Sequence, residues 1–290
     1  MLQQFPNKIL WLASYPKSGN TWFRAFITAL LNDGEVEINK LGTDGLFSAR
    51  KIFDNCADID SCDLYDAEVK LMIADVFRDL ANKEKRMDII KVHDAFEADM
   101  DGKNIIPEDV THCAIYFIRN PLDIAGSFAN HMHSGIQAAV DKINDTSSSL
   151  SPQTGNLNIN RQFRQYLSDW SSHVNSWTLR PSFPVCVVRY EDMLENTFET
   201  FQKILAFIGW AYTPGQILKA MAASSFDALS RQEAEKGFNE KAPKSPKFFR
   251  SGTKGNWEFE FTLGQIEEIT RMHGKNMGKY SYLSTLKKIK

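Results

Sequence analysis

The sequence predicts an α/β protein in which a central, mostly parallel β-sheet is flanked by helices, with residues 1–290 forming a single domain. Two observations predict it. Short apolar runs alternate with longer helical patterns, which is the signature of βαβ units. The residues able to carry chemistry also gather just after those runs. Ligands on parallel sheets bind there, beyond the carboxyl ends of the strands. At 290 residues, 43% of them hydrophobic, the chain can bury a sizeable core.

The elements follow in order. Strands are expected at Ile9–Ser14, Asp88–Val92, His112–Ile118 and Val185–Arg189. Helical periodicity runs over Thr21–Leu31, Ala67–Ala81, Pro121–His131, Gln162–Trp177 and Thr197–Ile208. Gly135–Asn160 holds Asp145-Thr146-Ser147-Ser148-Ser149, Ser151-Pro152 and Gly155-Asn156, so 131–160 reads as a long mobile loop. A second loop is expected over 231–251, with Pro243, Pro246 and four lysines.

A net charge of −2 and a pI near 6.3 argue against a nucleic-acid or polybasic membrane partner. No run is long enough for a transmembrane helix, and the first residues lack the pattern of a signal peptide. None of Cys56, Cys62, Cys113 and Cys186 has C-x-x-C spacing, which leaves no zinc ribbon or redox motif. A reducing, cytoplasmic location is the simpler reading, although Cys56 and Cys62 are close enough in sequence to pair.

The most informative residues are Tyr15-Pro16-Lys17-Ser18-Gly19-Asn20-Thr21-Trp22, directly after the first strand. A chain that leaves a strand, turns and opens a helix presents unpartnered N–H groups and the positive end of a dipole. Lys17 adds charge, and Ser18 and Thr21 add hydroxyls, so the loop suits a phosphate-like anion. It is not a Walker loop, because Lys17 precedes Gly19 and no glycine stands at the first position. The plainer alternative is an ordinary strand–turn–helix corner.

Arg119 ends the third strand, Pro121 suits a first helical turn, and Ser127 lies about two turns further on. An Arg fork with a hydroxyl makes a phosphate clamp. Arg250-Ser251-Gly252-Thr253-Lys254-Gly255-Asn256-Trp257 is a basic loop whose two glycines let backbone wrap an anion. His93 follows the second strand, with Lys91 two residues earlier on the same face. Trp22 offers a π-face to a base.

Taken in order along the chain, these motifs resemble the sulfotransferases that use 3′-phosphoadenosine 5′-phosphosulfate (PAPS) and release PAP. The string from Pro16 to Trp22 is similar to that family's 5′-phosphosulfate loop, Arg119 and Ser127 to its 3′-phosphate motif, and 250–257 to its C-terminal R-x-G-x-x-G-x-W signature. The resemblance implies a P-loop NTPase-like sulfotransferase fold and in-line transfer of a sulfuryl group to a hydroxyl, or less readily an amine, without a metal. It makes His93 the general base, with Lys91 and Lys17 stabilising the sulfuryl group and the departing phosphate. It assigns Lys17, Ser18, Gly19, Asn20, Thr21, Trp22, Arg119, Ser127, Tyr190, Ser225, Phe226, Arg250, Ser251 and Gly252 to the donor. Two positions depart from the pattern: Val92 replaces a Thr, and Ser251 a Lys. With no anchor in the sequence, the chain looks closer to bacterial small-molecule and glycopeptide enzymes than to Golgi ones.

His112 and His173 read as structural. His131 and His133 end a helix, where cations complement the dipole; an acceptor-site role is the alternative. Their H-x-H spacing lacks a third metal ligand. A Mg-ATP kinase would need an acid at a strand end, for which Asp94 is the candidate. A non-catalytic PAP-binding module is the other rival. The acceptor is expected to be a small molecule, natural product or glycoconjugate. Its walls are expected from Ala49–Asp66, His131–Asn160 and Phe226–Phe248, with Phe47, Phe53 and Phe238 as apolar contacts. Phe261-Thr262-Leu263-Gly264 does not clearly carry the family's dimer element, which leaves oligomeric state open.

Overall fold

The computed structural model describes residues 4–43, 49–83, 86–151, 162–241 and 245–284. Its centre is a four-stranded sheet of β1 (Ile9–Ser14), β2 (Asp88–Val92), β3 (Thr111–Ile118) and β6 (Val185–Arg189), in the order β2-β1-β3-β6. All three pairings are parallel. Every residue of β1 is buried, as a strand covered on both faces requires.

Alternate side chains of the central strands enter different cores. Ile9, Trp11 and Ala13 of β1 join Ala114, Tyr116 and Ile118 of β3 in one cluster. Leu10 and Leu12 join Cys113, Ile115 and Phe117 in the other. The first core is closed by α3 (Asp66–Lys83), α4 (Pro121–Met132), α5 (Ile136–Asn144), α6 (Trp170–Leu179) and α12 (Leu263–Lys279). The second is closed by α1 (Asn20–Leu31), α8 (Thr197–Ile208) and α9 (Pro214–Ala223). Each fully buried aliphatic side chain contributes about 2 kcal/mol, so the two layers hold the strand ends rigidly in place. Trp11 also satisfies its indole N–H, which donates to Thr111 Oγ1 at 2.9 Å.

Three expected segments differ. The helix expected over 162–177 begins only at Trp170. Gln165–Tyr166 instead forms a short strand, β5, paired with β4 (Ser149–Leu150). Tyr166 N–H donates to Asp94, Ser168 adopts a positive φ of 58°, and Asp169 then caps α6 by accepting from Ser172 N–H. The first turns of the expected helix are therefore pulled toward the second strand's end. Within 131–160, residues 136–144 are the helix α5, whose Ala139, Val140 and Ile143 enter the core. Residues 152–160 lie outside the described residues. Within 231–251, residues 231–236 complete α10 (Phe226–Lys236).

Candidate active site

One cavity of about 750 Å³ lies across the carboxyl ends of the sheet. Its wall combines the loop after β1 (Lys17, Gly19, Asn20, Thr21, Trp22), Lys91 of β2, His93 after β2, Arg119 after β3, and Ser127 of α4. Tyr190 opens α7 (Tyr190–Glu195) after β6, Phe226 opens α10, and Arg250, Ser251 and Gly252 complete the ring.

The loop after β1 is pinned from below. Asn20 is buried, and its amide donates to Leu12 carbonyl at 2.7 Å and to Ser14 Oγ at 3.2 Å. This side chain, expected at the ligand, spends its donors on the strand. Gly19 has φ 95°, and a Cβ there would stand 2.6 Å from the Tyr190 ring. Only glycine combines that conformation with that approach. Lys17 itself adopts φ 71°, and its Nζ lies 4.3 Å from the Phe248 ring centroid. Burial, reinforced by nearby Arg119, pushes the Lys17 ammonium down to about 8. Ser18 is 1% exposed, and its hydroxyl has no partner among the described residues.

Arg119 donates to Lys17 carbonyl at 3.0 Å and to Thr253 carbonyl at 3.2 Å, joining the loop after β1 to the C-terminal loop. Its guanidinium carbon lies 4.3 Å from the Tyr190 ring centroid, and its buried Nε has no partner among the described residues. Gly255 N–H donates to the Asp123 carboxylate at 3.0 Å, which fastens the C-terminal loop to α4. Gly252, at φ 61°, would place a Cβ 2.5 Å from Phe226. Arg250 pairs with Glu260, and Lys254 with Glu195.

His93 follows β2 and sits partly exposed in the cavity wall. Its Nδ1 lies 3.0 Å from Ser14 carbonyl. A carbonyl only accepts, so Nδ1 carries the proton and Nε2 has the free lone pair. The backbone is fixed as well. Tyr116 hydroxyl donates to His173 Nδ1 at 2.8 Å, and His173 Nε2 donates to His93 carbonyl at 2.9 Å. Burial, then the Lys91 charge, push the His93 imidazole down to about 3, so it is neutral near pH 7.

Several expectations are corrected. Ser225 does not line the cavity; its hydroxyl caps α10 by accepting from Ala228 N–H. Asp94 is fully buried and accepts from Tyr166 N–H, outside the cavity wall. A kinase's metal-holding acid is therefore not in place there. Phe53 packs in the core against Phe163, and Phe238 packs on Phe248, so neither faces the cavity. Phe47 lies outside the described residues. The four cysteines, Cys56 and Cys62 included, are free, and Cys186 is only partly buried.

Other wall residues carry no motif. Phe248, Phe249, Gln162, Gln165 and Glu240 all line the cavity. His131 also lines it, with a buried Nδ1 that has no partner among the described residues. Burial, with Lys17 nearby, pushes its imidazole down to about 4. No described helix is long and apolar enough to cross a membrane.

Comparison with known proteins agrees with this architecture. The family described as Sulfotransferase domain matches residues 7–281. Sulfotransferase 1B1 of Mus musculus is 24% identical, over 95% of this chain and 84% of that protein. Flavonol 3-sulfotransferase of Flaveria bidentis is 23% identical, over 94% and 82%. The 3-alpha-hydroxysteroid sulfotransferase of Cavia porcellus is 28% identical, but over only 38% of this chain and 40% of that protein. The crystal structure of a mouse sulfotransferase complexed with PAP superposes with a TM-score of 0.61 at 21% identity, covering 97% of this chain and 91% of that one. With the family matched along nearly the whole chain, the protein belongs to the PAPS-dependent sulfotransferase family.

Proposed function

We propose that the protein transfers the sulfuryl group of PAPS to the hydroxyl of a small-molecule acceptor, with His93 as general base. One observation carries this reading: a single cavity gathers Lys17, Lys91, His93, Arg119 and Arg250 from separate strand ends and the C-terminal loop. The wall fits an anionic nucleotide. Arg119 Nε in the wall, and Ser18 Oγ in the loop beside it, are buried without partners among the described residues, and Gly19 and Gly252 leave room for backbone but not for a Cβ.

PAPS supplies the group transferred, and the chain supplies position and field. The loop after β1 takes the 5′ side of the donor; Arg119, Ser127, Arg250 and Ser251 take the 3′-phosphate; Trp22 and Phe226 flank the base. The acceptor oxygen bonds to sulfur as the bond from sulfur to the departing phosphate opens. The hydroxyl proton passes to His93 Nε2, and Lys17 and Lys91 balance the charge on the oxygens. An anionic donor beside His93 raises the basicity that burial lowers. Related proteins named for flavonol and hydroxysteroid acceptors support a small-molecule substrate. The free cysteines fit a cytoplasmic setting.

Calorimetric titration tests the donor. Micromolar PAP binding without metal, and none by Mg-ATP, is expected. Tight Mg-ATP binding without PAP binding would overturn the reading in favour of a kinase.

A further inference from the structure

Glu240 brings a carboxylate into a wall otherwise rich in cations. Its Oε2 lies 3.2 Å from Lys91 Nζ, and its Oε1 lies 2.6 Å from Arg24 Nη1. Arg24, on α1, is 1% exposed and also donates from Nε to Thr43 Oγ1 at 2.5 Å. Thr43 carbonyl accepts from Lys91 N–H at 2.8 Å, which closes the network around β2. The segment carrying Glu240 is itself anchored. Asn239 N–H donates to Asn39 Oδ1 at 2.8 Å, Asn39 amide donates to Gly237 carbonyl at 3.1 Å, and Phe238 is buried.

An acid this close to a sulfuryl-transfer site needs a reason, since the donor is itself an anion. Two cations, Lys91 and Arg24, bracket this carboxylate. We propose that Glu240 is a positioning residue for the transfer: by holding Lys91 and Arg24 on its carboxylate, it keeps the Lys91 ammonium beside His93 and screens the imidazole from that charge. The inference rests on the sulfuryl-transfer reading. Burial works to raise the Glu240 carboxyl, but Lys91 and Arg24 outweigh it and hold the group down to about 2, so it is ionised at working pH. The charged groups acting on His93 are Lys91, Glu240 and Arg24, with Ser14 carbonyl on the β1 side. Of these, Glu240 is the one negative charge, and removing it lowers the basicity of His93.

The test uses the full chain, with labelled PAPS and water as the acceptor, so that no identified acceptor is needed. Glu240→Gln, Glu240→Asp, Lys91→Met and the Glu240→Gln/Lys91→Met double variant are compared for kcat, for its acid limb and for PAP affinity. Glu240→Gln is expected to lose about tenfold or more in kcat while PAP affinity holds within about threefold, and its acid limb moves to lower pH. Glu240→Asp recovers part of the rate, and the double variant is no slower than Lys91→Met alone. A Glu240→Gln rate equal to the parent's, equal losses in rate and PAP affinity, or additive losses in the double variant would overturn the proposal. Parent protein that fails to bind PAP would instead overturn the transfer reading, and this inference with it.

Discussion

The floor of the cavity and its C-terminal rim hold their polar groups in different ways. At the floor, where β1 and β2 end, either the polar group is itself buried or its partner is backbone: Asn20 on Leu12 carbonyl, His93 on Ser14 carbonyl, buried Lys91 on Glu240. At the rim, Arg250 and Lys254 rest on Glu260 and Glu195, in pairs that solvent reaches. Exposed pairs of this kind contribute only about 0–1 kcal/mol. A phosphate can replace such a carboxylate at little cost, whereas the floor is fixed before any ligand arrives. Preorganised charge assists a reaction most where nothing must move when charge develops. The floor therefore suits chemistry and the rim suits exchange.

The largest expected effect falls on the floor. His93→Ala should lower kcat by about 10²–10⁴-fold with PAP affinity unchanged, measured by single-turnover transfer and calorimetry. A variant that kept its rate would place the base elsewhere and break the distinction. Arg119→Ala removes the residue that ties floor to rim, and should weaken PAP binding by about 3 kcal/mol in calorimetry, since it leaves a charged phosphate unpaired.

The glycines sharpen the contrast. Gly19→Ala and Gly252→Ala both force a side chain into positive φ, at about 1–2 kcal/mol each. Tyr190 is buried under Arg119, whereas Phe226 is only partly covered and has more freedom to shift. Gly19→Ala should therefore cost more PAP affinity than Gly252→Ala; equal costs would show a rim as rigid as the floor. The smallest effect is a gain. Glu260→Gln releases Arg250, and PAP affinity should tighten by about two- to fivefold at low salt, converging with the parent's as salt screens the rim.

The strands were legible because their runs are short, apolar and rich in β-branched residues. Ile9–Ser14, Asp88–Val92 and Val185–Arg189 read as strands at their observed ends; β1 is buried throughout, whereas the edge strands β2 and β6 are only partly covered and carry the signal in Ile89, Ile90, Val92, Val185, Val187 and Val188. The anion loop was legible because its chemistry is local: Lys17, Gly19 and the helix start lie within a few residues. What failed was set at long range. Residues 165–166 became a strand because Asp94, far away in sequence, captures Tyr166 N–H. α5 hid because its core-facing residues are few and its flanks polar. Ser225 carries a family pattern, but its hydroxyl serves its own helix. Glu240 falls inside the expected wall segment 226–248, but nothing local marks it: its partners are Arg24 and Lys91, which no spacing rule connects to it.

The four parallel strands each deliver something to one cavity, in the spatial order β2-β1-β3-β6. A nucleotide lying there would span the width of the sheet and also engage a loop near the far end of the chain. No contiguous fragment of the polypeptide owns the site. Ligand capture is then a report on the integrity of the whole molecule. A lesion in any crossover should appear as a weaker apparent affinity, and saturating nucleotide should raise the melting temperature of variants damaged far from the cavity. In a cell, supply of the donor would act as a folding aid for such variants.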